Sequence, residues 1–503
     1  VSHARQQAHF VARHWLIAIV LSAGLALRVA AQVAYRPALM YIDTEKYLYN
    51  GYPGADPVGY KAPLALILAV GNLSLLTAIQ HLLGLAMAVT IYLVLVRLGS
   101  RPWLAALGAV PICLDAYQLQ IEQTVMPDVW FEALIVAAIA VLLIRRSGLR
   151  YVVIGGLLLG FSATVRQVGE ILILPALLYV IVAAGGWRSA IVKSAALLVA
   201  FAVPVIGYMG GSYFVSGHFW LDSGSLSLST YGRMATAADC PALRIPRYER
   251  SLCPTPRQLA FGIDWLDHDA HSPLKAYVAP AGRNRYAVIA HFDHQVAEQQ
   301  PLRVTAAIIK DAIKLFAIER TSSQSGTPIS RWQFQDSYPV YPGWVSLGAG
   351  GVIVFRLHLT PSGDVVRRQP LNPGYGGKAQ VDRPVAAFLR GYQLDGGYTP
   401  GPALALLTLT GLIGSLLLII RGLNDQTRRQ ALGCLLFFGC AVAVLAMSDA
   451  FQFSWRYQLP ALITLPPAGL LGIVTGLGYL RSRQDSRIST GQDGKTEVVA
   501  PVA

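Results

Sequence analysis

Residues 62–96 read APLALILAVGNLSLLTAIQHLLGLAMAVTIYLVLV, 35 positions without Asp, Glu, Lys or Arg. A membrane-spanning helix takes about 20 apolar residues. The run is too long for one upright span and too short for two, and Gly71-Asn72 interrupts it. The reading that fits is a short helix over 62–72 lying along the membrane interface, followed by a full span. Working outward, further apolar runs fall near 15–34, 102–118, 129–144, 151–165, 171–185, 190–210, 401–420, 430–448 and 457–480. Together they predict an all-α polytopic membrane protein of about ten spans.

Composition agrees. Of 503 residues, 54% are hydrophobic and 14% charged, where soluble proteins average about 25% charged. A soluble globular enzyme, a disordered chain and a fibrous one are excluded. The net charge of +14 does not point to nucleic acid, because the basic residues concentrate in alternate short loops. Arg5 and Arg13 precede the first run. Arg97 and Arg101, then Arg145, Arg146 and Arg150, then Arg188 and Lys193, then Arg421, Arg428 and Arg429 lie in every second connection, and Arg481, Arg483 and Arg487 close the series. By the positive-inside rule these loops and both termini are cytoplasmic. Asp43, Glu45, Asp115, Glu122, Asp128, Glu170 and Asp449 then share the outer face with the long stretch 211–400. Of the 41 basic residues 33 are Arg, a bias that points to a GC-rich bacterial genome and hence a bacterial plasma membrane.

The N-terminus imitates a signal peptide, with basic residues, an apolar run and Val29-Ala30-Ala31. Arg28 and the full span length favour an uncleaved first helix. Four segments follow: 1–210 with about seven spans, an extracytoplasmic module at 211–400 of mixed, mostly helical structure, about three spans at 401–487, and a polar disordered tail at 488–503. Cys113, Cys434 and Cys440 lie in apolar runs. Cys240 and Cys253 lie in the outer module, where an oxidising compartment would pair them; the alternative is two free thiols.

Ionisable groups at membrane depth are costly and usually mark function. Asp43, in Asp43-Thr44-Glu45-Lys46-Tyr47, can take a proton from an acceptor hydroxyl; the alternative is an ordinary polar loop. Lys61 begins the interfacial segment at the depth of lipid phosphate, and either binds phosphate or snorkels. Glu122 and Asp128 flank the entry to the fourth run, where a substrate, a metal or simple helix capping would each use an acid. Arg166 sits in a hairpin of two short arms and needs an anion, Glu170 or a ligand. Arg456, in Ser454-Trp455-Arg456-Tyr457-Gln458-Leu459-Pro460, can clamp a phosphate or anchor a span end. Asp264, Asp267, His268, Asp269, His271, His291, Asp293 and His294 match no metal-ligand spacing and read as a solvated face. No Walker loop, dinucleotide fingerprint, zinc pattern or nucleophile elbow is present.

Taken together these stretches resemble the GT-C class of membrane glycosyltransferases, nearest to the superfamily of protein O-mannosyltransferases and bacterial aminoarabinose transferases acting on lipid A. That family opens with an Asp-Glu-x-Arg-Tyr-like stretch, here Asp43-Thr44-Glu45-Lys46-Tyr47. A Lys-Pro-Pro-Leu-like stretch follows, here Lys61-Ala62-Pro63-Leu64. An acid entering the fourth span matches Asp128, an Arg before the sixth matches Arg166, and an Arg-Tyr-x-x-Pro stretch matches Arg456-Tyr457-Gln458-Leu459-Pro460. Thr44, Lys46 and Ala62 depart from the family pattern.

The resemblance implies a polyprenyl-phosphate-linked sugar as donor, an acceptor hydroxyl on a glycan, lipid or protein, and an inverting hexosyl or pentosyl transfer on the extracytoplasmic side. It implies Asp43 as base, Asp128 beside it, and Lys61, Arg166 and Arg456 on the donor phosphate. Lys46, Tyr47, Glu122 and Tyr457 become substrate contacts, and a divalent metal stays open. A secondary transporter would show inverted repeats, which this chain lacks. A non-catalytic scaffold would tolerate loss of Asp43, Lys61 and Arg456.

Overall fold

The computed structural model describes residues 2–41, 43–48, 57–144, 148–221, 226–337, 345–348, 351–359, 365–370, 380–420 and 422–493. Arg145, Arg146, Arg421 and the side chain of Glu45 lie outside the described residues. The chain begins with α1 (Ser2–Ala34), β1 (Tyr35–Arg36), α2 (Thr44–Leu48), α3 (Lys61–Val70) and α4 (Leu73–Arg97). The expected break falls between α3 and α4, where the Asn72 side chain accepts from the amides of Ser74 and Leu75 and caps α4.

Next come α5 (Pro102–Leu114), α6 (Ala116–Glu122), α7 (Asp128–Ile144), α8 (Leu149–Val165), α9 (Ile173–Ala183) and α10 (Trp187–Ser216). The stretch after α10 holds α11 (Leu226–Ala237), α12 (Pro256–Leu259), α13 (Ile263–His268), α14 (Pro273–Ala276), α15 (Arg285–Gln299) and α16 (Pro301–Ala312), with Pro301 at the start of α16. Strands β2 (Val345–Gly348), β3 (Gly351–Leu359) and β4 (Val365–Pro370) pair antiparallel, and β5 (Gln380–Val381) pairs with β1. The chain closes with α17 (Arg383–Leu394), α18 (Gly401–Leu416), α19 (Asp425–Phe451) and α20 (Leu459–Asp493).

Among the described residues six helices are long and apolar enough to cross a membrane: Arg13–Ala34, Leu73–Arg97, Trp187–Ser216, Gly401–Ile419, Asp425–Phe451 and Leu459–Gln484. The bent pair of α5 and α6, meeting at 54°, makes a seventh if counted as one. The chain is a multi-pass membrane protein, but ten full spans are not present among the described residues. The apolar runs at 129–144, 151–165 and 171–185 are helical yet short. α7 and α8 have 17 residues each, a rise of about 25 Å against a hydrocarbon core of about 30 Å.

Close helix packing follows the small-residue rule of membrane interfaces. A Cβ on Gly156 would lie 2.7 Å from the Leu197 carbonyl, and one on Gly160 2.3 Å from that of Phe201, so α8 and α10 touch backbone to backbone. The 211–400 stretch is not one body. Tyr231, Leu252, Leu266, Ile289, Phe292 and Val296 form a separate core. Leu315, Ile329 and Trp332 instead pack into the helix bundle, and Phe334, Ala386 and Leu389 pack on the end of α1. α10 runs past residue 211 to Ser216, and α20 stays helical to Asp493, beyond the expected start of a disordered tail. Residues 494–503 of that tail lie outside the described residues.

Candidate functional site

Three loops at one end of the bundle are stitched together by backbone hydrogen bonds. The Leu39 amide donates to the Gln123 carbonyl at 2.9 Å and the Val125 amide to that of Leu39 at 3.0 Å. Thr44 reinforces the join. Its buried hydroxyl donates to the Val125 carbonyl at 3.0 Å and accepts from the Tyr41 amide. Asp43 is thereby carried to the loop that ends in Asp128. The third loop arrives through Gly59, whose amide donates to the Thr164 carbonyl at 2.9 Å. A Cβ there would sit 2.5 Å from that oxygen, so only glycine permits the approach.

The result is a cluster of five charges. Arg456 donates to Asp43 Oδ2 at 2.9 Å and to both oxygens of Asp128, at 2.9 and 3.1 Å. Arg166, at the end of α8, also pairs with Asp128. Lys46 Nζ stands 3.8 Å from Asp43 Oδ1. Aromatic rings wall the cluster. Tyr41, Trp332 and Tyr457 lie 5.5–5.7 Å from the Arg456 guanidinium, and Tyr457 lies 5.1 Å from that of Arg166. Burial pushes the Asp43 carboxyl up, but Lys46 and Arg456 outweigh it and hold it down at about 2.

Asp43, Tyr47, Pro127, Val165, Arg166, Arg456 and Tyr457 line a pocket with about 20 Å³ of free space. That is room for about one water, so a larger ligand enters only if side chains part. Asp43 is 30% exposed, Lys46 22%, Arg166 15% and Arg456 5%, so Asp43 is the most accessible of the five charges. Asp128 is the holder, with both arginines on one carboxylate.

Two of the residues read from the sequence lie elsewhere. Lys61 is half-buried at the start of α3 and does not line the pocket. Glu122, read as a substrate contact, is fully buried and committed to protein groups: Arg28 donates to it at 2.7 Å and His81 lies 2.9 Å from its other oxygen. The anion that Arg166 meets in the cluster is Asp128. Asp449 is buried and accepts from Gln458 at 3.0 Å. Cys240 and Cys253 form a disulfide. Among the described residues no group of three or more His, Cys, Asp or Glu side chains is placed to hold a metal ion. Asp264, from the His/Asp-rich stretch, instead pairs with Arg331 through two bonds of 2.8 and 3.1 Å.

The sequence reading missed the outer-module strap 323–332. The Thr327 amide donates to the Phe453 carbonyl at 3.1 Å, and its hydroxyl donates to Ser454 at 2.9 Å. The Trp332 ring lies 4.5 Å from that of Tyr41. The strap therefore fixes the segment that presents Arg456. An Arg-Trp pair in an irregular outer loop was the available signal.

No family model and no curated protein matches the chain. Among solved structures it is similar to an archaeal oligosaccharyltransferase, AglB from Archaeoglobus fulgidus, in complex with an inhibitory peptide and a dolichol-phosphate, at 11% identity and TM-score 0.39 over 98% of this chain and 53% of that one. It is also similar to the Archaeoglobus fulgidus oligosaccharyltransferase in the apo form, at 12% identity and TM-score 0.34 over 94% and 52%. The chain spans about half the length of both.

Proposed function

We propose that the protein is an integral membrane glycosyltransferase of the GT-C class. It moves a hexosyl or pentosyl unit from a polyprenyl-phosphate donor to an acceptor hydroxyl on the extracytoplasmic face. The observation that carries the reading is the partly exposed Asp43 carboxylate 2.9 Å from Arg456, a candidate base beside a candidate phosphate clamp in one pocket. The order of the Asp43, Lys61, Asp128, Arg166 and Arg456 motifs supports it. The Cys240–Cys253 bond supports an oxidising compartment for the outer module.

In this reading the donor phosphate takes over Arg456 and Arg166, whose guanidinium forks stabilise the charge on the departing phosphate. Lys61 meets the lipid phosphate on its approach along the bilayer edge. Drawing Arg456 away removes a charge that suppresses the basicity of Asp43, so donor binding readies the base. Asp43 then takes the acceptor proton as the hydroxyl attacks the anomeric carbon. A single displacement inverts that centre. Asp128 holds both arginines at the pocket until the donor phosphate arrives.

The test incubates purified protein with a panel of polyprenyl-phosphate sugars and measures free carrier phosphate. Release in the wild type, lost in Asp43→Asn with folding intact, is expected. Full activity in that variant removes Asp43 from the mechanism, and no release with any donor removes the reading.

A further inference from the structure

At the end of the bundle opposite Asp128, a cavity of about 400 Å³ opens between α4, α7, α9 and α19. α7 begins at Asp128 and ends at Ile144, so cavity and pocket lie about 24 Å apart along that helix. Leu98, Leu143, Ile144, Tyr179 and Leu432 make an apolar wall, and Arg97 and Arg429 supply its charge. No carboxylate of the described residues lines it.

The backbones that carry the two arginines are tied together, and both side chains are exposed. The carbonyl of Leu98, the residue after Arg97, accepts from Gln426 at 2.7 Å and from Gln430 at 2.9 Å. Those glutamines bracket Arg429 on α19. Arg428 closes the α9 side by donating to the Val182 carbonyl at 2.9 Å. An arginine that only sets membrane orientation needs neither a concave apolar wall nor a cross-braced partner. Two guanidinium forks over such a wall suit a phosphate with hydrocarbon attached.

We propose that this cavity binds the phosphate of an anionic phospholipid, with Arg97 and Arg429 on the headgroup and the leucine, isoleucine and tyrosine wall on the first carbons of the chains. The site is separate from the Asp43 pocket and does not depend on the sugar-transfer reading.

The full-length protein in detergent is titrated with phosphatidylglycerol and, separately, phosphatidylcholine, and retained lipid is counted by native mass spectrometry. One phosphatidylglycerol held at least about tenfold more tightly than phosphatidylcholine is expected. Arg97→Gln with Arg429→Gln abolishes that preference, and Arg188→Gln, at the same end but outside the cavity, keeps it. Leu143→Trp fills the cavity without touching charge and also weakens retention, which covers any folding defect in the double variant. Equal retention by the wild type and the double variant overturns the site. Displacement of the lipid by millimolar inorganic phosphate overturns the lipid as its occupant.

Discussion

Two ionic clusters in this molecule use the same residue types to opposite ends. Around Glu122, Arg28 donates to the carboxylate and to the carbonyls of Gly24, Ile112 and Cys113. Two of these carbonyls belong to the last turn of α5, whose backbone acceptors the bend before α6 leaves open. Asp115 caps the start of α6 by accepting from the Tyr117 amide and takes two bonds from Arg320. Arg28 and Glu122 are 2% and 0% exposed. That cluster completes a broken helix and offers nothing outward. Around Asp43, three cations face two carboxylates and one carboxylate is 30% exposed; rings flank the arginines in both clusters, Arg320 of the knot included. In the proposed reading, an excess of positive charge beside a partly exposed carboxylate separates a site for an anionic substrate from a structural knot.

The contrast breaks most sharply at Asp43. Asp43→Asn is expected to lower sugar transfer by roughly 10³-fold, within the range for loss of a general base, with thermal unfolding in detergent unchanged. Glu122→Ala should do the reverse. It leaves Arg28 buried and unpaired at a cost of about 3–5 kcal/mol, seen as a large drop in melting temperature. An unaltered melting temperature would show that the knot is not structural.

Trp332→Leu removes one ring from Arg456 and should weaken polyprenyl-phosphate binding about tenfold, the order of a desolvated cation–π contact, while Trp332→Tyr keeps most of it. Equal binding by all three proteins would detach the strap from the site. The smallest effect belongs to Asp293 in the outer module, whose hydroxyl partner is Thr230. Burial pushes this carboxyl up to about 8. The folded state keeps its proton while the unfolded chain releases it near 4. Stability is therefore lost as pH rises from about 4 to about 8. Asp293→Asn should raise the melting temperature by a few degrees (~1 kcal/mol or more) at pH 8 and leave it unchanged at pH 4.

Asp43, Asp128, Arg166 and Arg456 were legible because charge at the edge of an apolar run is conspicuous. Their convergence was not, since Asp43 and Arg456 lie at opposite ends of the chain and meet through loop hydrogen bonds that carry no side-chain signature. Glu122 was misread for a related reason. An acid near a bend looks the same whether it faces a substrate or a buried arginine, and Arg28 lay hidden inside the first apolar run. The span count is not settled by helix length: six helices of the described residues reach it outright, while α7 and α8, at 17 residues each, sit at the short end of the spanning range. Trp332 carried only the weak signal of an Arg331-Trp332 pair in an irregular loop. Its part depends on a strap that leaves the outer stretch and joins the bundle.

That strap has a practical consequence for anyone seeking a smaller version of this protein. Cutting away 217–400 as an accessory would also strip the brace behind Ser454 and one face of the guanidinium beside it. The excised bundle would lose the alignment of Arg456 on which the proposed chemistry relies.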